Sequence, residues 1–467
     1  MVFSSFTFLW IFLPLVLTGA VITRKKGSNL FLLAMSLFFY AWGEPRYIVL
    51  LLFSITLNYG CGLLLDRTAP KGVRRLVLTA GVMVNLALLA YFKYFNFFAA
   101  NLNGLLNREL IGLKAIALPV GISFYTFQSI SYIADLYRGA IPVQRSWLKL
   151  ALYIAFFPQL VAGPIVKYKD VEAYLEKREM TTQKAVSGLK RFCFGLGKKV
   201  LLANTLGFTV DSILSHSINE LSTALCWAAA VFYTLHIYFD FSGYSDMAIG
   251  LAEVLGFRFQ ENFDLPYTAA GVRDFWHRWH ISLSTWFRDY LYIPLGGSRK
   301  GLPRTLINLL IVFFATGLWH GAQWNFVLWG LFHGLFLILE RFVPVGKAEQ
   351  PAAKLLTKVY TLLVVCFGWV LFRADDLTMA SAQMKRMLIP GNASFWNFGE
   401  LVTPYALIIA AAGVFFSLGG ANLLKKPFRN HPEQGRVLSG ICAILCLFLS
   451  LVMLANAAHN PFIYFRF

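Results

Sequence analysis

Long uncharged runs alternate with short basic ones along the whole chain. Windows free of Lys, Arg, Asp and Glu cover Val2–Thr23, Gly27–Gly43, Tyr47–Leu65, Leu76–Phe92, Ala115–Ala134, Leu150–Val166, Leu221–Phe239, Thr305–Leu339, Val359–Phe372, Leu401–Leu424 and Val437–Phe465. A helix that crosses a bilayer needs about 20 apolar residues. The pattern therefore predicts an all-α polytopic membrane protein with about 11 transmembrane or re-entrant helices. The Thr305–Leu339 window is long enough for two crossings or one long broken helix. A weaker segment, Val186–Val210, is interrupted by Lys190, Arg191, Lys198 and Lys199. Pro119, Gly121, Pro158, Gly163 and Pro164 offer breaks, so one of Ala115–Ala134 and Leu150–Val166 is expected to be re-entrant.

Composition agrees. Hydrophobic residues make up 58% of the 467-residue chain, charged residues 14%, and mean hydropathy is +0.61. Soluble domains carry about 25% charged residues, so a soluble enzyme, a disordered chain and a disulfide scaffold are all excluded. The runs are too long and continuous for the short alternating strands of a membrane β-barrel. Forty-two Lys and Arg against 23 Asp and Glu give a net charge of +19. In a membrane protein such an excess reads as basic loops held at an anionic leaflet, not as a nucleic-acid surface. No charged n-region precedes Arg24, so no signal peptide is expected. Arg24–Lys26, the Arg67–Arg75 loop and the Lys425–Arg436 cluster are placed inside by the positive-inside rule, and both termini outside. The six cysteines form no CxxC and no disulfide or metal framework.

Ionisable groups within apolar segments are costly and point to function. Three stretches concentrate them. In Arg273–Ile293, helical spacing lines up Trp276, Trp279, Leu283, Trp286 or Phe287, and Tyr290, with Arg273, Arg278, Arg288 and Asp289 beside them. The plain reading is an amphipathic interfacial helix. His280 stands out, one helical turn from His277 and from Ser284. A zinc site needs three or four ligands, and no third ligand stands at matching spacing, so no metal is expected. In Gly317–Gly334, His320 sits inside the longest uncharged window beside Trp319, with Gly317, Gly321 and Trp324 suggesting a tight cavity wall. A buried neutral imidazole suits general-base work near neutral pH. His333 is set as a structural residue: thirteen positions on, it leaves the face of His320 unless the helix breaks. In Tyr238–Asp246, the side chains of Asp240, Ser242, Ser245 and Asp246 are candidates to line a cavity or hold an ion, and His236 reads as a packed histidine. No nucleophile-elbow frame and no Walker spacing occurs.

Pro266–Gly301 (PYTAAGVRDFWHRWHISLSTWFRDYLYIPLGGSRKG) resembles the signature of the membrane-bound O-acyltransferase (MBOAT) family, in particular its bacterial alginate and peptidoglycan O-acetyltransferase branch. Further matches are the opening VFSSFTFLWIFLPL, Leu118–Gly139, Phe156–Tyr168, Tyr238–Ala252, Gly317–Gly330 and the final PFIYFRF, so the resemblance runs from Val2 to Phe467. It implies a single transmembrane domain over residues 1–467, with a catalytic core at about 115–340 and a tail at 461–467, built around a central tunnel. It implies that His320 is the catalytic histidine and His280 its upstream partner. Trp276, Trp279, Ser284, Arg288 and Trp319 are candidates to contact the acyl donor. Acetyl-CoA is the expected donor, entering as a substrate from the cytoplasmic side, and no cofactor is expected. An outward-facing SGNH or esterase-type partner would then pass the acetyl group to an extracytoplasmic polysaccharide such as alginate or peptidoglycan. Tyr464, the hydroxyl of the C-terminal run, resembles the C-terminal tyrosine of related envelope-acylation systems and is the expected acyl relay. The alternative from another class is a proton-coupled transporter or lipid flippase relaying protons through buried histidines. Such a carrier would more often bury carboxylates, and Thr305–Leu339 contains none.

Overall fold

The computed structural model describes residues 1–467 except 67–69, 344, 347–349, 391–394 and 457–467. Among the described residues every regular element is helical. Six helices are long and apolar enough to cross a membrane, seven with one bent pair, Pro404–Ser417 and Gly420–Phe428, taken as a single span. Three shorter apolar helices accompany them, so the windows resolve into a multi-pass helical membrane protein. The chain divides into two compact units, Met1–Phe192 with Met247–Gln260, and Cys193–Asp246 with Glu261–Phe467.

The first unit holds α1 (Phe8–Thr23), α2 (Ser28–Gly43), α3 (Ile48–Leu64), α4 (Lys71–Leu106), α5 (Ile122–Arg138) and α6 (Trp147–Ala155). Phe3, Phe8, Phe12, Phe39 and Phe157 form its aromatic centre, with ring centroids 4.9 to 6.4 Å apart. Asn58 of α3 and Asn85 of α4 exchange amide hydrogen bonds of 3.1 and 3.0 Å. Without water, two facing amides satisfy each other and tie the helices together. The nine residues of α6 span about 14 Å, less than half of a hydrocarbon core of about 30 Å. Beyond Ala155 the window continues only as the short turn Phe157–Leu160 and irregular backbone. That backbone is buried throughout, the condition under which non-helical structure is tolerated in an apolar setting.

The second unit carries the histidines. It contains most of α7 (Thr223–Val254), followed by α8 (Val272–Arg278), α9 (Ile281–Phe287), α10 (Gly301–His320), α11 (Trp324–Phe342), α12 (Pro351–Arg373), α13 (Pro404–Ser417) and α14 (Pro432–Asn456). Ile441, Ile444, Leu445 and Phe448 of α14 are exposed, an apolar face suited to lipid. The Thr305–Leu339 window folds as two helices, α10 and α11, broken at Gly321, whose backbone is extended (φ −163°, ψ 153°). The two then pack backbone to backbone. A Cβ on Gly317 would strike the carbonyl of Phe326, and one on Gly330 the carbonyl of Phe313. Gly330→Val is therefore expected to cost about 1–3 kcal/mol through overpacking. The check is a lower melting temperature and less protein in the membrane fraction, with Leu328→Val on the exposed face unchanged.

Candidate active site

The continuous helix expected over Arg273–Ile293 does not form. It stops at Arg278, passes through an extended Trp279 and a left-handed His280 (φ 43°, ψ 55°), and restarts at Ile281. The left-handed region costs a residue with a Cβ about 1–2 kcal/mol, so something must hold the break. The segment before Pro266 does. Asp264 N–H donates to the Arg278 carbonyl and Ile281 N–H to the Asn262 carbonyl, both at 3.0 Å, while Ser282 N–H donates to Asn262 Oδ1 at 3.2 Å. These bonds take up the backbone groups that a broken helix would leave bare. His280 is thus a junction residue, not one turn from His277 on a common helix face. His277 is exposed and His280 is buried.

His280 Nδ1 lies 3.1 Å from Asn262 Oδ1. Its Nε2 is buried and meets no hydrogen-bond partner among the described residues. The Phe241 ring stands edge-on to the imidazole at 4.6 Å and Trp319 at 6.1 Å. Burial pushes its pKa down to about 3, so the ring is neutral at physiological pH.

The aromatic stripe of the sequence is core rather than an interfacial anchor. Trp276, Trp279, Leu283, Trp286 and Phe287 are all buried. Trp276 packs against Trp329 at 5.6 Å and Phe313 at 5.4 Å, and Trp279 against Trp369 at 4.8 Å. His320 closes α10 with Trp319 at 5.0 Å, Trp329 at 5.0 Å and Phe372 at 5.2 Å. Trp319 therefore touches both His280 and His320.

The break at Gly321 also changes the place of His333. On a continuous helix it would face away from His320, but α11 returns along α10. Trp329 lies against both rings, 5.0 Å from His320 and 5.3 Å from His333. His333 is fully buried between Trp276 and Trp329. Trp324 is exposed and forms no wall of this site. Arg288 is exposed and paired with Asp289 at 2.8 Å, and the Ser284 hydroxyl donates to the Trp279 carbonyl at 3.4 Å. Trp276, Trp279 and Trp319 belong to the histidine cluster, whereas Ser284 and Arg288 make these local bonds instead. Tyr464 lies outside the described residues.

The third polar patch is largely consumed by structure. Asp240 pairs with Lys199 in full burial, and Asp246 with Lys198 at 2.6 Å. His236 Nδ1 meets the Ala203 carbonyl at 2.8 Å, a packed histidine as read. Ser245 Oγ accepts from Asn262 Nδ2 at 3.1 Å. Asn262 itself escaped the sequence reading: its bonds to His280 and Ser282 span 18 and 20 positions, beyond any local periodicity.

Taken together, these features define a multi-pass helical membrane protein with two buried imidazoles, His280 and His320, on one aromatic cluster. Residues 140–379 match the family model of MBOAT, the membrane-bound O-acyltransferase family, and every site residue above except Tyr464 lies inside that match. The probable alginate O-acetylase AlgI of Pseudomonas putida is 39% identical to the chain over 100% of both. The peptidoglycan O-acetyltransferase of Helicobacter pylori is 35% identical over 83% of this chain and 80% of its own. A teichoic acid D-alanyltransferase of Bacillus subtilis is 27% identical over 54% of this chain and 68% of its own. The chain belongs to the membrane-bound O-acyltransferase family and is an O-acyltransferase.

Proposed function

We propose that the protein moves an acetyl group from a cytoplasmic thioester donor, acetyl-CoA, across the cytoplasmic membrane for O-acetylation of an extracytoplasmic polysaccharide. The observation that carries this reading is the meeting of His280 and His320 on Trp319, inside the span matched to the family. His320 acts as general base. It takes the proton of an attacking hydroxyl as that oxygen bonds to the acyl carbon. The carbon–sulfur bond then breaks, and the proton passes to the departing thiolate. A site walled by Trp319, Trp329 and Phe372 excludes water that would hydrolyse the donor. Relatives named for alginate and for peptidoglycan support a polysaccharide as the final acceptor. Transfer through Tyr464 to an outward-facing SGNH or esterase-type partner belongs to the same proposal, with both chain termini on the outer side.

The proton-carrier reading gains no support from the carboxylates, because buried Asp135 and Asp240 and half-buried Asp246 all sit in ion pairs, with Arg138, Lys199 and Lys198. The test is proteoliposomes of the full chain given acetyl-labelled CoA on one side only. Loss of the thioester should require the donor on the side bearing Arg24–Lys26, as located by labelling of single introduced cysteines. Donor turnover only from the opposite side overturns the direction. Proton flux without thioester loss overturns the enzyme reading itself.

A further inference from the structure

We propose that Asn262 is a positioning residue that locks His280 in the Nδ1–H tautomer and thereby leaves Nε2 as a bare lone pair for a substrate hydrogen. The inference rests on the acyl-transfer reading and deepens it by assigning which nitrogen of His280 works. Asn262 is 1% exposed. Its Oδ1 faces three groups: Ser282 N at 3.2 Å, Ser282 Oγ at 2.9 Å and His280 Nδ1 at 3.1 Å. A backbone N–H can only donate, so the Asn262 atom facing Ser282 N is the amide oxygen and not the amide nitrogen. The nitrogen end then faces Ser245 Oγ at 3.1 Å, which accepts from it.

The tautomer follows from that orientation. The Ser282 hydroxyl also lies 3.4 Å from His280 Nδ1, but it is closer to Asn262 Oδ1, at 2.9 Å, and donates there; an amide oxygen cannot donate, so His280 Nδ1 carries the hydrogen. A neutral imidazole holds one N–H, and burial keeps this ring neutral, so Nε2 is left with its lone pair. No hydrogen bond within the described protein occupies that lone pair. The left-handed backbone of His280 gives the arrangement a second support. The strain at φ 43° is held by the same Asn262, whose carbonyl accepts from Ile281 and whose side chain accepts from Ser282. Strained backbone held by its surroundings marks functional positions more often than inert ones. A hydroxyl or thiol of the substrates is the group that such a lone pair would accept from.

Asn262→Asp separates positioning from mere support. A carboxylate still accepts from Ser282 and His280, and the backbone carbonyl of residue 262 still accepts from Ile281, so the break remains capped. It also places a negative charge beside Nδ1 and raises the pKa of His280. Below that raised value Nε2 binds a proton and the lone pair is lost; above it the lone pair returns. Full-length Asn262→Asp protein in nanodiscs is therefore expected to show an acid limb about 1–3 pH units above that of wild type, losing acyl transfer about tenfold one pH unit below the raised value and recovering it as the pH rises. A pH profile parallel to wild type would overturn the proposal. A second readout needs neither activity nor a variant that keeps the site intact. In 15N-histidine-labelled wild-type protein, the resonances absent from His280→Gln protein should report an Nδ1–H, Nε2-bare ring at pH 7. An Nε2–H ring would overturn the tautomer assignment. Thioester loss absent from wild type, with the Nδ1–H ring present, would count against the acyl-transfer reading and not against the tautomer.

Discussion

His320→Ala is expected to leave the protein folded and in the membrane but to lower acyl transfer by about 100-fold or more, the usual cost of losing a general base, the role proposed for His320. The fold should survive because His320 is the last residue of α10, where the helix already stops at Gly321. Trp329 and Phe372 keep their own contact at 5.0 Å and line the space left behind. His320→Gln is the matched control, since it keeps a polar group of similar size and removes the base. Both variants should show wild-type amounts in the membrane fraction and a single symmetric peak in detergent. Retention of more than about a tenth of wild-type turnover would remove His320 from the base role. His280→Ala should also lower turnover, and by less if its lone pair assists a proton that His320 removes.

Much of the architecture was legible because hydrophobic windows are a local signal. Windows such as Val359–Phe372 and Val437–Phe465 lie largely within long helices. The family signature reached the two histidines for the same reason: both stand in short, distinctive strings. What escaped was set by contacts distant in sequence. The aromatic stripe of Arg273–Ile293 has a helical period, yet the segment 262–264 offers hydrogen bonds to Arg278, Ile281 and Ser282 that make a break affordable. The expected separation of His333 from the face of His320 assumes one continuous helix, and an extended Gly321 removes that premise. Lys198 and Lys199 looked like interruptions of a weak apolar segment because their partners, Asp246 and Asp240, are more than 40 positions away. Asn262 stands out in no pattern, being a single amide whose partners lie 17 to 20 positions away, Ser245 before it and His280 and Ser282 beyond α8.

The second large effect is expected at that buried ion pair. The side chains of Lys199 and Asp240 are 2% and 0% exposed. Neither charge can be left alone there: breaking a buried pair typically costs about 3–5 kcal/mol because one ion stays buried without its counterion. Against a total stability of about 5–15 kcal/mol, Asp240→Ala should therefore drastically reduce the folded protein recovered in detergent. Lys199→Ala should do the same. The outer pair, Lys198 and Asp246, is 33% and 18% exposed and its loss should be milder. The double variant Lys199→Met/Asp240→Leu decides the cause. It removes both ions and fills the space with apolar atoms, an exchange that is often neutral or stabilising. Recovery of monodisperse protein in the double variant, with neither single variant recovered, identifies unpaired charge as the defect. If Asp240→Ala melts at the wild-type temperature, the pair contributes nothing to holding α7 against the π-helical turn Lys198–Ala203. A double variant as poorly recovered as the singles would show that the carboxylate or the ammonium has a further partner that apolar side chains cannot replace.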